Sequence, residues 1–329
     1  MEPDEQYELT VSIEDHGKFR RLDHYLRDKL PEHSRTFIQN LFKQELITGE
    51  IEGQVVSLGL NKIPPVGTIL NIFIPPPIPL EAKPENIPLE ILYEDEYLLF
   101  INKPSGIVVH PAPGNYTGTL VNALLHHIKD LKGIGNKLRP GIVHRLDIGT
   151  SGVMVVAKEQ KCHEKLVMTF AEHDLDRKYV ALVMGQPKVP AGKLESFIAR
   201  HPQNRLKMAV SHSGKKAITH YRTLEVFPKC TLLEMTLETG RTHQIRVHLS
   251  TLLKSPIFND STYGNPKENL QRLGPQIASL VDNYPYPFLH AKLLSLKHPI
   301  TGQLVSFETP PPAIFQDVLT SLRGGNCGP

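Results

Sequence analysis

Apolar residues in this 329-residue chain recur at helical spacing in some stretches and in short glycine-bounded runs in others. Leu22, Tyr25, Leu26 and Leu30 are spaced as one helical face, and Phe37, Leu41 and Phe42 repeat the spacing after Ser34, which predicts two short helices early in residues 19–73. Ser34 is a capping residue type, and the helical turn it opens is a place to meet phosphate, with Lys43 near the far end. From Leu46 to Ile74 apolar segments alternate with Gly49, Gly53, Gly59 and Gly67, as small strands with tight turns do. Six prolines across residues 75–88 then end any periodic pattern, so this segment is expected to be an extended linker between two domains.

Beyond it, residues 89–101 predict strands around Tyr93-Glu94-Asp95-Glu96, and Lys103-Pro104-Ser105-Gly106 predicts a turn. Residues 117–130 place Leu120, Val121, Leu124, Leu125 and Ile128 on one side of a helix. Strands are expected at 153–157, 178–184, 219–226 and 231–237, and helices at 159–172 and from a Thr242 cap through Ile245, Leu249 and Leu252. Hairpins mixed with helices favour an α+β fold over a doubly wound parallel sheet.

No apolar run approaches the roughly 18 residues of a membrane span, and the start, Met1-Glu2-Pro3-Asp4-Glu5, lacks the basic and apolar parts of an export signal. Three cysteines, Cys162, Cys230 and Cys327, form no close pair, so a soluble protein of the reducing cytoplasm is expected. The net charge of +3 hides an asymmetry: residues 1–15 hold six acids and no Lys or Arg, leaving 37 bases against 28 acids in the rest. A basic body behind an acidic tail is compatible with phosphate-backbone binding.

In Gly141-Ile142-Val143-His144-Arg145-Leu146-Asp147-Ile148-Gly149-Thr150-Ser151-Gly152, one carboxylate stands beside a permanent positive charge. A guanidinium nearby would hold Asp147 ionised as a nucleophile, although the same residues also fit an aspartate that caps a turn. Residues 238–249 add Arg241, His243, Arg246 and His248, more cationic and hydrogen-bonding groups than a core requires. His243 and His248 have no acid or cysteine nearby to complete a ligand set, which points away from a metal. Lys132-Gly133-Ile134-Gly135 lacks the third glycine of a dinucleotide fold, no phosphate loop follows a strand, and no Gly-x-Ser-x-Gly elbow marks a serine, so no nucleotide cofactor is expected. Tyr179, after Arg177 and Lys178, is either an interior aromatic or a platform for an unstacked base whose backbone the two cations attract.

His144-Arg145-Leu146-Asp147 with Thr150-Ser151-Gly152, and then Gly240-Arg241-Thr242-His243-Gln244-Ile245-Arg246-Val247-His248-Leu249, resemble the two signature motifs of the RluA-type pseudouridine synthases. Residues 102–111 resemble the family's first motif and Lys178-Tyr179-Val180-Ala181-Leu182 its tyrosine motif. Leu289-His290-Ala291, His298-Pro299 and Thr301-Gly302 resemble its closing segment. Ala112-Pro113-Gly114-Asn115, Arg200-His201-Pro202 and Lys207-Met208-Ala209-Val210 look most like the RluD branch, which modifies large-subunit ribosomal RNA. The chain departs from the usual pattern at Ile148-Gly149, Asn259-Asp260-Ser261 and Pro287-Phe288, where Lys-Asp, Gly-Asp-Pro and Arg-Gln are commoner.

The resemblance implies a pseudouridine synthase fold with a bent, mainly antiparallel mixed sheet, preceded by a small α+β RNA-binding domain named for a small-subunit ribosomal protein. The expected layout is an acidic tail (1–16), the small domain (17–74), a proline linker (75–88), the catalytic domain (89–322) and a tail (323–329). It makes Asp147 the catalytic aspartate, Tyr179 the aromatic against the base, Arg246 the partner of the aspartate, and Ile245 an apolar wall. Arg145, His144, Arg241 and Lys103 are expected to bind substrate, and Lys18, Arg20, Arg21, Arg35 and Lys43 to contact RNA. The enzyme would be a cytoplasmic monomer without metal or cofactor, working on large-subunit ribosomal RNA or precursor particles. The competing readings are a synthase acting on transfer RNA, a noncatalytic RNA-binding or ribosome-assembly factor on this fold, and a hydrolase releasing free base.

Overall fold

A computed structural model describes residues 5–75, 82–112, 115–131, 133–136 and 139–324. Residues 1–4, 76–81 and 325–329 of the expected tails and linker, Pro113 and Gly114 of the branch-marking segment, and Lys132 lie outside the described residues. The chain divides into two compact units, Met1–Pro79 and Leu80–Pro329.

In the first unit β1 (Glu5–Thr10) and α1 (Ile13–Lys18) precede α2 (Leu22–Lys29) and α3 (Arg35–Lys43), and β2 (Ile47–Ile51), β3 (Gln54–Val55) and β4 (Ile69–Ile74) complete an antiparallel sheet in the order β1-β4-β2-β3. The apolar stripe of α2 and α3 packs on that sheet, so Leu22, Tyr25, Leu26, Leu30, Ile38 and Leu41 share a core with Ile47, Leu70, Ile72 and Ile74. Ser34 caps α3 by accepting from the Phe37 N–H at 3.2 Å. The expectation of an acidic tail over residues 1–16 is corrected from Glu5 onward: Glu5–Thr10 pairs in register with Ile69–Ile74, and Ser12 and Asp15 form a capping box on α1. Only Tyr7 and Leu9 of that strand are apolar, so its ladder of backbone hydrogen bonds, not its composition, makes it a strand.

Asp23, sealed from solvent on α2, accepts from Arg21 Nε at 2.9 Å, Arg35 Nε at 2.8 Å and Gln39 Nε2 at 3.0 Å. Two of the expected RNA-contacting arginines are therefore held by Asp23, Arg35 across from α3 to α2 and Arg21 at the start of α2 itself. Lys18 pairs with Asp28 at 3.3 Å on the surface, whereas Arg20 and Lys43 are exposed.

The second unit opens with β5 (Glu90–Glu94) and β6 (Leu98–Lys103), then α4 (Leu120–His127), the ribbon β7 (Gly135–Asn136) and β8 (Arg139–Pro140), β9 (Ser151–Ala157) and α5 (Gln160–Glu172). It continues through β10 (Leu175–Met184), β11 (Ala191–Arg200), β12 (Met208–Val210), β13 (Lys215–Val226), β14 (Cys230–Leu237) and α6 (Gln244–Val247). The chain closes with α7 (Pro266–Leu273), α8 (Pro275–Leu280), β15 (Leu289–Lys297), β16 (Leu304–Glu308) and α9 (Ala313–Gly324). Ten strands form one open sheet in the order β12-β11-β13-β14-β10-β15-β9-β6-β5, with β16 on β15, and only the β15–β9 pair is parallel. This is the mixed, mainly antiparallel sheet of an α+β fold.

Both faces of the sheet are covered, which is why β9 is buried along its whole length. Met154 and Val156 of β9 enter the large core with Leu99, Ile101 and α4, while Val153, Val155 and Ala157 join Leu98, Phe100, Cys162 and Leu166 on the side of α5. Thr119 caps α4 in a box with Asn122, and the Glu159 carboxylate caps α5. At the parallel junction Ala291 lies opposite Gly152, whose φ of +117° and lack of Cβ let the strands approach: a Cβ there would stand 2.2 Å from the Ala291 carbonyl oxygen.

Two further expectations are corrected. Residues 82–88 do not behave as linker, because Ala82 is buried in the large core, the Glu85 N–H donates to the Asn122 carbonyl at 3.0 Å, and the Glu85 carboxylate accepts from the Gly118 N–H. At the other end Arg323 and Gly324 complete α9 instead of starting a tail, and Arg323 pairs with Glu225 at 2.7 Å.

Candidate active site

Asp147 lies in the turn that leads into β9, so the most deeply buried strand of the sheet carries its backbone. Its carbonyl accepts from the Thr150 N–H at 3.0 Å to close the turn, but its side chain does not cap that turn. The carboxylate instead faces across to α6, accepting from Arg246 Nη1 at 3.3 Å, with His243 Nε2 at 3.9 Å from Oδ1. Behind the turn His290 fixes β9, its Nδ1 bonded to Ser151 Oγ at 2.9 Å and its Nε2 to the Thr309 carbonyl at 3.0 Å.

The expected Thr242 cap is corrected: His243, in left-handed conformation at φ 55°, precedes the four-residue α6, which runs on into a π-helical turn, His248–Leu252. Gln244 ties this short helix to the sheet by accepting from Thr239 Oγ1 and the Arg241 N–H while donating to the Ile218 carbonyl and Thr219 Oγ1. His248 is fully buried and bonded to Ser196 and Thr219, and burial pushes its imidazole down to about 4. A helix of four residues has little stability of its own, so these side-chain bonds set the direction of Arg246.

Arg246 spends its other two nitrogens on Asp260, Nε to Oδ2 at 2.7 Å and Nη2 to Oδ1 at 2.9 Å. Asp260 is sealed from solvent and accepts also from the Thr262 and Tyr263 N–H groups. Burial alone would weaken the proton affinity of Arg246, but the bonds and charges of Asp260 and Asp147 raise it above the ordinary arginine value. The guanidinium also lies over the Tyr263 ring at 5.0 Å, and the Tyr263 hydroxyl holds His243 Nδ1 at 2.8 Å. Asp260 and Tyr263 are members of the site that the motifs do not single out, whereas His243 belongs to the second motif; Asp260 stands in the sequence only as the middle of Asn259-Asp260-Ser261.

These groups open on a cleft of about 440 Å³ lined by Asp147, Tyr179, Arg246, Ile245, Arg145, His144 and Arg241, together with Phe170, Arg177 and Leu289. Tyr179 sits on β10 at a bulge where the pairing with β15 shifts, and burial raises its phenol above the usual tyrosine range. Arg145 is exposed at the rim, and Arg241 Nε donates to the Lys216 carbonyl at 3.0 Å. His144 touches the cleft, but its Nε2 accepts from the Val155 N–H at 3.1 Å and its ring stacks on Phe170 at 4.4 Å. Burial and then the Arg177 charge push it down to about 3, so it is a neutral wall with its proton on Nδ1.

Lys103 is the expected substrate-binding residue that the structure moves elsewhere. It is fully buried and does not line the cleft, and its ammonium donates to the carbonyls of Pro104 at 2.8 Å, Ile107 at 3.0 Å and Ile148 at 3.4 Å. Bonded to the residue after Asp147, it positions the aspartate's turn instead of touching a ligand.

A carboxylate held by a shared guanidinium, beside an aromatic and an apolar wall in a cationic cleft, defines a site for charged chemistry on a planar group attached to an anion. The family model for RNA pseudouridylate synthase matches residues 97–251, which span both halves of this site. The chain is similar to an RNA pseudouridine synthase of Synechocystis, 44% identical over 92% of this chain and 89% of the relative. It is similar also to the ribosomal large subunit pseudouridine synthase D of Zymomonas mobilis, 41% identical over 93% and 95%. Among solved structures, human RNA pseudouridylate synthase domain containing 4 superposes with a TM-score of 0.56 at 28% identity, covering 71% of this chain and 93% of that one. The chain belongs to the RNA pseudouridine synthase family and is an enzyme of that class.

Proposed function

We propose that this enzyme isomerises specific uridines of large-subunit ribosomal RNA, with Asp147 as its catalytic acid group, Tyr179 against the base and Arg246 aiming the carboxylate. The observation that carries the reading is the Arg246–Asp147 contact at 3.3 Å inside a cleft walled by Tyr179 and Ile245. The charge-assisted bond from the guanidinium fixes where the carboxylate oxygen stands when a base enters the cleft. The ribosomal target is supported by similarity to the ribosomal large subunit pseudouridine synthases D of Zymomonas mobilis, Pasteurella multocida and Xanthomonas campestris, 37–41% identical over at least 93% of this chain.

The reaction breaks the bond from ribose C1′ to uracil N1, turns the base, and joins C1′ to C5. The C5 proton leaves and N1 gains one, so composition and oxidation state are unchanged and no cofactor is called for. A stacked uracil is out of reach of a carboxylate in a cleft, so the nucleotide must leave its stack at a cost of about a few kcal/mol. Tyr179 and Ile245 offer it new stacking surface, and Arg145 at the rim meets the strand it leaves. In the small unit the exposed Arg20 and Lys43, with Lys18, Arg21 and Arg35, would add phosphate contacts. Ribosomal RNA of this kind would be met in the cytoplasm.

A hydrolase releasing uracil would need a second carboxylate opposed to Asp147. The nearby candidate, Asp260, is sealed and has both oxygens committed to Arg246, which favours isomerisation.

The test is tritium release from a large-subunit ribosomal RNA transcript labelled at uridine C5. Asp147→Asn should abolish release while RNA affinity stays within a few-fold. An Asn variant at wild-type rate removes the role of Asp147, and pseudouridines lost from transfer RNA instead of ribosomal RNA on gene deletion remove the substrate assignment.

A further inference from the structure

Arg177, on β10 two residues before Tyr179, is a cation of the cleft that the mechanism above leaves unused. Its side chain is 7% exposed, its Nε and Nη2 are closed to solvent with no hydrogen-bond partner, and it forms no ion pair among the described residues. A guanidinium in that state is costly, because it has given up water without gaining a carboxylate or carbonyl. What it has is an aromatic ring, Phe170, 5.7 Å from its central carbon, which supplies part of the lost interaction. Gly240 leaves space for the charge: a Cβ at that position would stand 2.9 Å from Nη1.

Nothing else lining the cleft supplies the missing negative charge. Asp147 is engaged by Arg246, His144 is neutral, and Arg145 and Arg241 add positive charge of their own. The counter-ion has to arrive with the ligand. Of the parts of an RNA nucleotide, the uracil is neutral and the phosphodiester carries the charge, and a guanidinium N–H makes a charge-assisted bond to a phosphate oxygen. Nη1, the corner not closed off, is where a ligand first meets it.

We propose that Arg177 is a phosphate subsite of the cleft, pairing with a backbone phosphate that flanks the extruded uridine and so holding the nucleotide by its charged end while Tyr179 holds the base. This rests on the reading of the cleft as a receiver of flipped RNA. The two groups divide the work: Arg177 recognises no base and contributes affinity that salt weakens, and Asp147 contributes chemistry.

The experiment is fluorescence anisotropy of a labelled large-subunit ribosomal RNA fragment titrated with wild type, Arg177→Gln and Arg177→Lys over a series of KCl concentrations. Arg177→Gln should raise Kd about tenfold at low salt and lower the slope of log Kd against log salt by about 0.7, the loss of one single-strand phosphate contact. Arg177→Lys should keep the wild-type slope. Equal slopes for wild type and Arg177→Gln overturn the subsite. Should the variants fail to fold, ethylation interference on the wild-type protein replaces them: ethylated phosphates beside the converted uridine must block binding, and an indifferent pattern there also overturns it. Uridine conversion is scored on the same samples. Conversion with unchanged slopes sinks the subsite and leaves the function standing. A lowered slope when wild type converts no uridine in any RNA sinks the function and leaves the anion subsite.

Discussion

Arg246 and Asp260 meet in a two-pronged ion pair, Nε to Oδ2 at 2.7 Å and Nη2 to Oδ1 at 2.9 Å, inside a region from which Asp260 sees no solvent. The pair leaves one nitrogen, Nη1, for Asp147 at 3.3 Å. With two prongs fixed, the third points at the Asp147 carboxylate without searching, so in the proposed mechanism Asp260 would act through Arg246. Asp260→Asn keeps shape and one acceptor but loses the second, so kcat should fall about 10- to 100-fold, the usual range for a misplaced aiming group, with KM little changed. Asp260→Ala leaves a buried cation half-paired and should cost about 3–5 kcal/mol in urea unfolding. A kcat for Asp260→Asn equal to wild type would show that Arg246 needs no anchor.

Lys103 shows how a motif can be recognised and its purpose misjudged. The sequence marks it as a cation in a family motif, and cations near an RNA site invite a contact with substrate. What local sequence does not carry is that β6, one strand in from the sheet's edge between β9 and β5, takes the ammonium out of solvent to three carbonyls, one of them from Ile148, beside Asp147. Burial brings its pKa down to about 7, against the pull of Asp147. A lysine whose folded value lies below its unfolded value binds fewer protons when folded, so between about pH 7 and the ordinary lysine range its contribution to stability should rise with pH. Lys103→Met should remove that rise, cost about 1–3 kcal/mol for the carbonyls left without donors, and lower kcat more than it raises KM. Chemical unfolding at pH 7 and pH 9 of both proteins tests it, and parallel curves would deny Lys103 the role.

The same contrast between local and distant information runs through the chain. Elements with a strong local signal were legible: the stripe Leu22, Tyr25, Leu26 and Leu30 gives α2, and the capped runs at Ser34, Thr119 and Glu159 give α3, α4 and α5. β11 was not, because it lies near a sheet edge with mostly exposed or half-exposed positions, and β1 was not, because its partner β4 lies some sixty residues away. Asp147, Tyr179 and Arg246 could be named from motifs, yet their convergence depends on the β9–β15 junction and on the bonds of Gln244, Asp260 and His290, pairings between segments far apart in sequence. Nothing in the neighbourhood of Asn259-Asp260-Ser261 announces an anchor for Arg246.

In the small unit the carboxylate of Asp23 gives a pH prediction of the opposite sign. Burial would raise its pKa, but hydrogen bonds from Arg21, Arg35 and Gln39 outweigh that and hold it well below the usual carboxylate range. A depressed folded value stabilises the unit above the unfolded carboxylate pKa, and that stability is lost as pH falls through and below it. Acid should therefore loosen the packing of α2 on α3, and Asp23→Asn should remove that sensitivity while lowering stability at pH 7 by about 1–3 kcal/mol. Circular dichroism of residues 1–79 between pH 2 and pH 7 reads both, and an Asp23→Asn fragment with the wild-type acid midpoint would contradict it. Because Arg21 and Arg35 are fastened here, Arg20→Ala and Lys43→Ala are the cleaner probes of RNA contact.

Composition put the linker over residues 75–88, but Ala82, Lys83 and Glu85 are bound to the catalytic unit through the large core, the Asn122 side chain and the N-terminal approach to α4. A chain starting at Leu80 keeps Asn122 Nδ2 on the Lys83 carbonyl at 2.8 Å and the Glu85 carboxylate on the Gly118 N–H at 3.0 Å. A chain starting at Leu89 leaves both donors bare and uncovers apolar surface around α4, so it should be less stable by about 2–4 kcal/mol. Both should lose the RNA affinity proposed for the small unit. Thermal melts of the two truncations separate the cases: the Leu80 form should melt close to the full chain's second unit and the Leu89 form several degrees lower. Coincident melts would return residues 82–88 to the linker that their prolines suggested.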